Sequence, residues 1–349
     1  MRFCSLRDEV AGVRGMKAYI SKTPRPIEEV PLAEVEVEDP VPGPDEVRIK
    51  ISTCGICHTD LHVIEGELPP KKLPIIPGHE IVGVVDATGE KVTRYKLGDR
   101  VGAAWLHSAC GECEFCLRGN ENLCEEARFT GYDVDGGYAQ YTVVPQDFAY
   151  PIPGGFSDLE AAPLLCAGIV GYRALRLSDI EKGGRLGLYG FGASAHVVIQ
   201  VATYWNCEVY VFSRSEEHRR LARELGAVWT GRAEDEPPRK LHSAIIFAPA
   251  GKLVLDALRV LDKGGTLALA GIYMTPVPEL DYDKYLYHEK TVRSVANSTR
   301  EDAGDILSLA SEIPIRTEVQ EFALDEVSRA LLLLKQGKIQ GAGVLRITD

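Results

Sequence analysis

Two rhythms of apolar and polar residues divide the chain. From about Met16 to Ile152, short alternating segments are separated by turns rich in proline and glycine. Glu46-Val47-Arg48-Ile49-Lys50-Ile51 repeats with a period of two and follows the turn Pro42-Gly43-Pro44-Asp45; Glu80–Val85, Asp99–Trp105 and Gly137–Val144 have similar character, and MKAYI from Met16 opens the series. Alternation of this length predicts half-buried strands, and the frequent turns predict a β-rich, mostly antiparallel domain.

Beyond Pro153-Gly154-Gly155 the segments lengthen. Arg185–Gly190 and Cys207–Ser213 read as strands with the helical stretch Ala193–Tyr204 between them. Ser215–Leu225 reads as a second helix, with Glu216 and Glu217 in its first turn, where the helix dipole favours acids, and Gly226 at its close. Ser243–Pro249, Leu253–Leu261 and Gly265–Ile272 continue the alternation, which predicts a parallel, doubly wound sheet. The last sixty or so residues contain an amphipathic segment, Asp325–Lys335, and a strand, Gly343–Ile347, that could complete either domain.

A length of 349 residues suits two domains, and the change of rhythm marks the expected division. The formal charge of −12 and the lack of any long basic tract argue against nucleic acid as a partner. The longest apolar runs, such as Leu331–Leu334, are far below the roughly 20 residues of a membrane span. The first fifteen residues carry charges throughout and no apolar core of signal-peptide length, so a cytoplasmic location is expected and no role is assigned to them.

Cysteine changes the picture most. There are nine, an odd number, and four of them fall within fifteen residues, which favours metal ligation over disulfides. Cys110, Cys113, Cys116 and Cys124 form C-x2-C-x2-C-x7-C, a set able to close a tetrahedral structural zinc site. An iron–sulfur cluster also takes four close cysteines, but the proline that commonly follows the last cysteine of the bacterial ferredoxin run is missing. A second, open site can be assembled from the Cys54–His62 segment (CGICHTDLH), Gly78-His79-Glu80 and Cys166. Two thiolates and an imidazole leave a fourth position for water or substrate, as a catalytic zinc requires, although spacing does not choose between Cys54 and Cys57.

Gly190-Phe191-Gly192-Ala193-Ser194-Ala195 follows a strand and opens a helix, so it fits the G-x-G-x-x-G/A fingerprint that brings backbone close to a pyrophosphate. The next strand ends at Phe212-Ser213-Arg214 without the acid that usually holds the ribose hydroxyls of NAD. Ser213 and Arg214 can instead bind a 2′-phosphate, which predicts NADP(H) over NAD(H). The competing reading is a helix cap at Ser213 or Ser215 with Arg214 in solvent.

Taken together, G-I-C-H-T-D-L-H, G-H-E, the four-cysteine lobe and the later cysteine before a glycine-rich strand resemble the medium-chain, zinc-containing alcohol dehydrogenases, in particular the bacterial branch related to cinnamyl-type enzymes. The resemblance spans essentially Met16 to Asp349. It implies an α/β fold: a GroES-like β-rich catalytic domain, residues 1–156 and 293–349, with the zinc lobe at about 107–126, and a Rossmann domain, residues 157–292. It implies two Zn²⁺ per chain, with Cys57, His79 and Cys166 as catalytic ligands, Glu80 as an exchanging carboxylate and Asp60 orienting His79. Cys54 has no ligand counterpart.

By the same resemblance, Thr59 accepts the alcohol proton, and His62, reached through the cofactor ribose, passes it to solvent. His58 contacts the pyrophosphate, while Trp105 and Ile64 wall the substrate pocket. Two departures stand out: Gly341-Ala342-Gly343-Val344 has Ala where relatives often carry a pyrophosphate-binding Arg, and Val170 replaces a Thr that lies against the nicotinamide. The implied reaction is hydride transfer between a primary alcohol or aldehyde with an apolar tail and NADP(H) or NAD(H), in a homo-oligomer, dimer or tetramer. A polyol dehydrogenase of the same architecture and a non-catalytic dinucleotide sensor are the alternatives.

Overall fold

The structure is a computed structural model that describes residues 15–313 and 315–348; Cys4 and the rest of the amino-terminal extension lie outside the described residues. Two sheets organise it. The first has seven strands, running in the order Val319–Ala323, Ala342–Arg346, Glu46–Ile56, Glu80–Thr88, Arg100–Ala103 and Ala149–Pro151, with Tyr141–Pro145 paired to the outer half of Glu46–Ile56. Its pairings are antiparallel except between the two strands nearest the carboxyl end. The period of two seen in the sequence is used directly: Val47, Ile49 and Ile51 are completely buried, whereas Arg48 turns outward and pairs with Asp86 of the neighbouring strand at 2.9 Å.

The second sheet has six parallel strands in the order Trp229–Gly231, Glu208–Phe212, Arg185–Tyr189, Leu241–Ile246, Leu261–Leu269 and Thr291–Ser294. By chain order this is 3-2-1-4-5-6, so the strand order reverses beside Arg185–Tyr189, where a doubly wound sheet opens a ligand crevice. Leu186, Leu188, Val209 and Val211 are wholly buried, as expected for strands covered on both faces.

The closing segment serves both halves. Val319–Ala323 and Ala342–Arg346 join the antiparallel sheet, while the helix Arg300–Glu312 packs on the helix Ala167–Leu177 through the apolar cluster that also contains Ile169 and Ala174. The last parallel strand, Thr291–Ser294, straddles the division expected at 292/293. No described helix is long and apolar enough to cross a membrane.

Candidate metal centre and active site

The helix His58–Glu65, which the periodicity did not announce, starts at Cys57. Cys57 is its N-cap, and its Sγ accepts from the Thr59 amide at 3.2 Å. Asp60 reaches back to accept from the Cys57 amide through Oδ2 at 2.8 Å. Its other oxygen, Oδ1, lies 3.0 Å from Nδ1 of His79, with both side chains almost entirely buried. One carboxylate therefore closes the helix cap and orients an imidazole from a different segment.

With Nδ1 engaged, His79 presents Nε2, a buried atom with no hydrogen-bond partner. An orphaned buried nitrogen is destabilising unless something ligates it. Around it, one ligand atom from each of Cys57, His79, Glu80 and Cys166 lies within 4.8 Å of the others. The Cys57 and Cys166 sulfurs are 3.9 Å apart, close to the roughly 3.8 Å edge of a tetrahedron with Zn–S bonds of about 2.3 Å.

Glu80 reaches the cluster because residue 55 is glycine: a Cβ there would stand 2.0 Å from its Oε2. Cys54, in contrast, is fully buried on the Glu46–Ile56 strand, with its Sγ directed to the Gly55 carbonyl at 3.5 Å. It stands outside the ligand group, so the geometry makes the choice between Cys54 and Cys57 that spacing left open.

The charges point the same way. The Cys166 thiol donates to Cys57, which, with His79 nearby, holds the Cys57 thiol well below its usual range. Cys166 is pushed far up by that same bond and by burial, and Glu80 by burial and the Cys57 charge. Burial opposes a charged His79, but Asp60 and Cys57 overcome it and raise its pKa. The cluster cannot ionise all its acids without a cation, and a divalent ion would let both thiolates and the carboxylate coexist. A sulfur- and nitrogen-rich donor set selects zinc.

The four-cysteine lobe forms a second closed group, also within 4.8 Å. Cys110 Sγ lies 3.8 Å from Cys116 and 3.5 Å from Cys124, and accepts from the Cys113 amide at 3.3 Å. The Glu112 and Cys113 amides bring the Cys110 thiol down to about 7. The lobe is tied to the segment entering the Arg300–Glu312 helix: Glu121 accepts from the Arg300 amide at 2.8 Å, and Asn122 donates to the Ala296 carbonyl at 2.6 Å.

Thr59 is buried one turn before His62, which is mostly buried and hydrogen-bonded through Nδ1 to Glu67. His58 is exposed at the helix start. Trp105 stacks on Phe129 and Tyr132 at 5.2 and 5.9 Å and sets its edge against His79 at 5.0 Å. Phe129 and Tyr132, absent from the sequence reading, extend this aromatic wall. Ile64 has no exposed surface and packs inside the core of the antiparallel half, so packing accounts for it.

At the strand reversal, Gly190 has φ +88°, and a Cβ on Gly192 would meet nothing within 4 Å. Gly192 is the N-cap of the Ala193–Tyr204 helix, no side chain caps that helix, and Ala193 and Ser194 form its first turn. The turn can therefore take a phosphate on its amides. Val170 stands half-buried in the first turn after Cys166. Ser213 is buried and accepts from the Ser215 amide at 3.3 Å, Ser215 caps the next helix, and Arg214 is exposed. Arg219 donates to the Ser213 carbonyl at 2.6 Å.

The sequence profile of the alcohol dehydrogenase GroES-like domain matches residues 43–154, and that of the zinc-binding dehydrogenases matches residues 193–312. The chain is 48% identical over 337 residues to a probable alcohol dehydrogenase, AdhA, of Mycobacterium tuberculosis, covering 95% of this chain and 97% of the relative. Its fold is similar to that of a cinnamyl alcohol dehydrogenase from Sorghum bicolor, at 29% identity and a TM-score of 0.86, covering 95% and 97% of the two chains. It is also similar to a cinnamyl-type enzyme from Helicobacter pylori complexed with NADP(H), at 26% identity and a TM-score of 0.84, covering 95% and 98%. With both donor sets in place, the chain belongs to the zinc-containing medium-chain alcohol dehydrogenases, zinc-dependent oxidoreductases that act on CH–OH groups.

Proposed function

We propose that this enzyme interconverts primary alcohols and aldehydes with an apolar tail, with NADP(H) preferred over NAD(H). The observation that carries the reading is the convergence of Cys57, His79, Glu80 and Cys166 beneath the aromatic wall of Trp105, Phe129 and Tyr132. Zinc held there would supply a Lewis acid that polarises an alcohol or carbonyl oxygen, and a bound nicotinamide would supply the hydride acceptor or donor.

The chain's own part is to hold, orient and move protons. Asp60 fixes the His79 ring so that Nε2 faces the ligand cluster. Glu80, reaching over Gly55, is a carboxylate able to exchange with an outside ligand. Thr59 and His62 stand three residues apart, on one face of their helix, and take the substrate hydroxyl proton out of the site. Trp105 shapes the apolar side of the pocket and disfavours polyols, whose hydroxyls would find no partners there.

On the cofactor side, Gly190, Gly192, Ala193 and Ser194 cradle the pyrophosphate with His58 opposite, and Val170 lies against the nicotinamide. The preference for NADP(H) is supported by the lack of an acid at 212–215, by Ser213 and Arg214 just past the end of the strand Glu208–Phe212, and by Arg219 of the following helix, whose guanidinium reaches the Ser213 carbonyl. The catalytic domain takes the described residues up to 156 and those after Ser294, and the cofactor domain runs from 157 to Ser294, because Thr291–Ser294 completes its parallel sheet. None of the described cysteines is in a disulfide, in keeping with a reducing, cytoplasmic setting. The outermost parallel strand, Thr291–Ser294, is exposed along its whole length and offers an edge for a homo-oligomer.

The test is turnover of benzyl alcohol, cinnamaldehyde, ethanol and sorbitol with each cofactor, alongside zinc analysis. Turnover of the aromatic substrates with NADP(H), lost in Cys57→Ala, is expected. Reaction with sorbitol alone would overturn the substrate assignment, and equal or better use of NAD(H) the cofactor preference.

A further inference from the structure

The helix carrying Cys57, Thr59 and His62 ends at Gly66, whose φ of +80° puts it in the left-handed region. The chain reverses there, and the Leu68 amide donates to the His62 carbonyl at 3.0 Å. This turn brings Glu67 back over the helix end, where its carboxylate accepts from Nδ1 of His62. A neutral imidazole has one donor nitrogen and one acceptor nitrogen, so a carboxylate on Nδ1 leaves Nε2 as the basic one. The arrangement repeats that of Asp60 and His79 at the metal centre.

We propose that Glu67 is a positioning residue for proton transfer: its carboxylate fixes the tautomer of His62 and stabilises the positive charge the ring gains when the substrate proton reaches Nε2. This rests on the reading of Thr59 and His62 as the proton path. The proton leaving the substrate hydroxyl ends on Nε2, the ring becomes cationic beside an anion, and release of that proton to water restores the starting tautomer. Glu67 is 58% exposed, so the charged ring stays within reach of solvent.

The other groups around His62 do not duplicate this role. The Tyr273 ring faces it from beyond the cofactor-domain strand Leu261–Leu269, with centroids 6.3 Å apart. On the same helix, His58 and Asp60 lie toward the amino end, and Asp60 is committed to Cys57 and His79. Glu65 is held by Lys335 at 2.9 Å, from the helix packed alongside, and by the Ile27 amide at 2.8 Å. Lys335 is shared with Glu28 of the 27–29 turn.

The experiment compares the zinc-loaded parent enzyme with Glu67→Gln, Glu67→Asp and His62→Asn in benzyl alcohol oxidation across neutral pH. Glu67→Gln should lower kcat several-fold to about tenfold with little change in KM, and should alter the pH profile of oxidation, since the carboxylate that meets Nδ1 of His62 is gone. Glu67→Asp, which keeps the charge, should recover part of both effects. If Glu67→Gln matches the parent while His62→Asn is impaired, the proposal falls and the proton path stands. If His62→Asn also matches the parent, the proton path itself falls. A lower kcat with an unmoved pH profile would reduce Glu67 to a structural role and overturn the proposal. Two zinc ions per chain and an unchanged Tm establish that each variant is folded.

Discussion

Oδ1 of Asp60 lies 3.0 Å from Nδ1 of His79, while Oδ2 of the same carboxylate accepts the Cys57 amide at 2.8 Å. Two zinc ligands from separate segments thus share one orienting group. In Asp60→Asn the amide keeps one acceptor and loses the charge that stabilises a donating imidazole. The variant should lose catalytic zinc to a chelator with an affinity about 10- to 100-fold weaker than the parent, and turnover should fall in step. Unchanged zinc retention would show that His79 is oriented by packing alone.

Gly55→Ala tests the approach of Glu80. A Cβ at residue 55 would stand 2.0 Å from Glu80 Oε2, against a strand paired on both edges. The carboxylate must move, and turnover is expected to fall on the order of 10- to 100-fold with the fold intact. Circular dichroism with steady-state kinetics checks this; near-parental kcat/KM would mean that the Glu80 position is immaterial.

Cys116→Ser opens the four-cysteine lobe without touching the catalytic ligands. Zinc content should drop from two to one per chain, and Tm should fall by about 5 °C or more, because metal binding here contributes directly to folding. The weakened region should include the Glu121–Arg300 and Asn122–Ala296 contacts, read as faster amide exchange around residues 296–300. Retention of both zinc ions by the variant contradicts the assignment.

A pH effect on stability follows from His196, on the helix after the glycine turn. Burial, then the nearby His218, lowers its pKa to about 4. The unfolded chain therefore binds the proton first as pH falls, at about 6.5, so stability is present above that value and is lost between roughly pH 6.5 and pH 4. Between pH 7 and pH 5 this group alone removes about 2 kcal/mol. Denaturant unfolding of the parent and His196→Leu at the two pH values should show a smaller loss in the variant, and equal losses would contradict it.

Much of the site is legible along the chain because its parts are local. Four cysteines within fifteen residues can close on one ion whatever the rest of the fold does, and the glycine turn between a strand and a helix depends only on its neighbours. Cys166 is different, because its identity as a ligand rested on the family resemblance until the fold placed its sulfur 3.9 Å from Cys57. Glu67 carried no periodic signal, since its partner is reached across a left-handed glycine and not along a helix face.

The sequence by itself determined the two rhythms, the closed lobe, the dinucleotide turn and the menu of catalytic ligands, because strand period, helix capping and ligand spacing act over a few residues. Only the tertiary structure decided that Cys57 and not Cys54 joins the metal group, that Ile64 is core, that Asp60 serves two ligands at once and that Glu67 meets His62. These depend on which face of a strand or helix each residue occupies and what another segment brings to it, and long-range packing settles both.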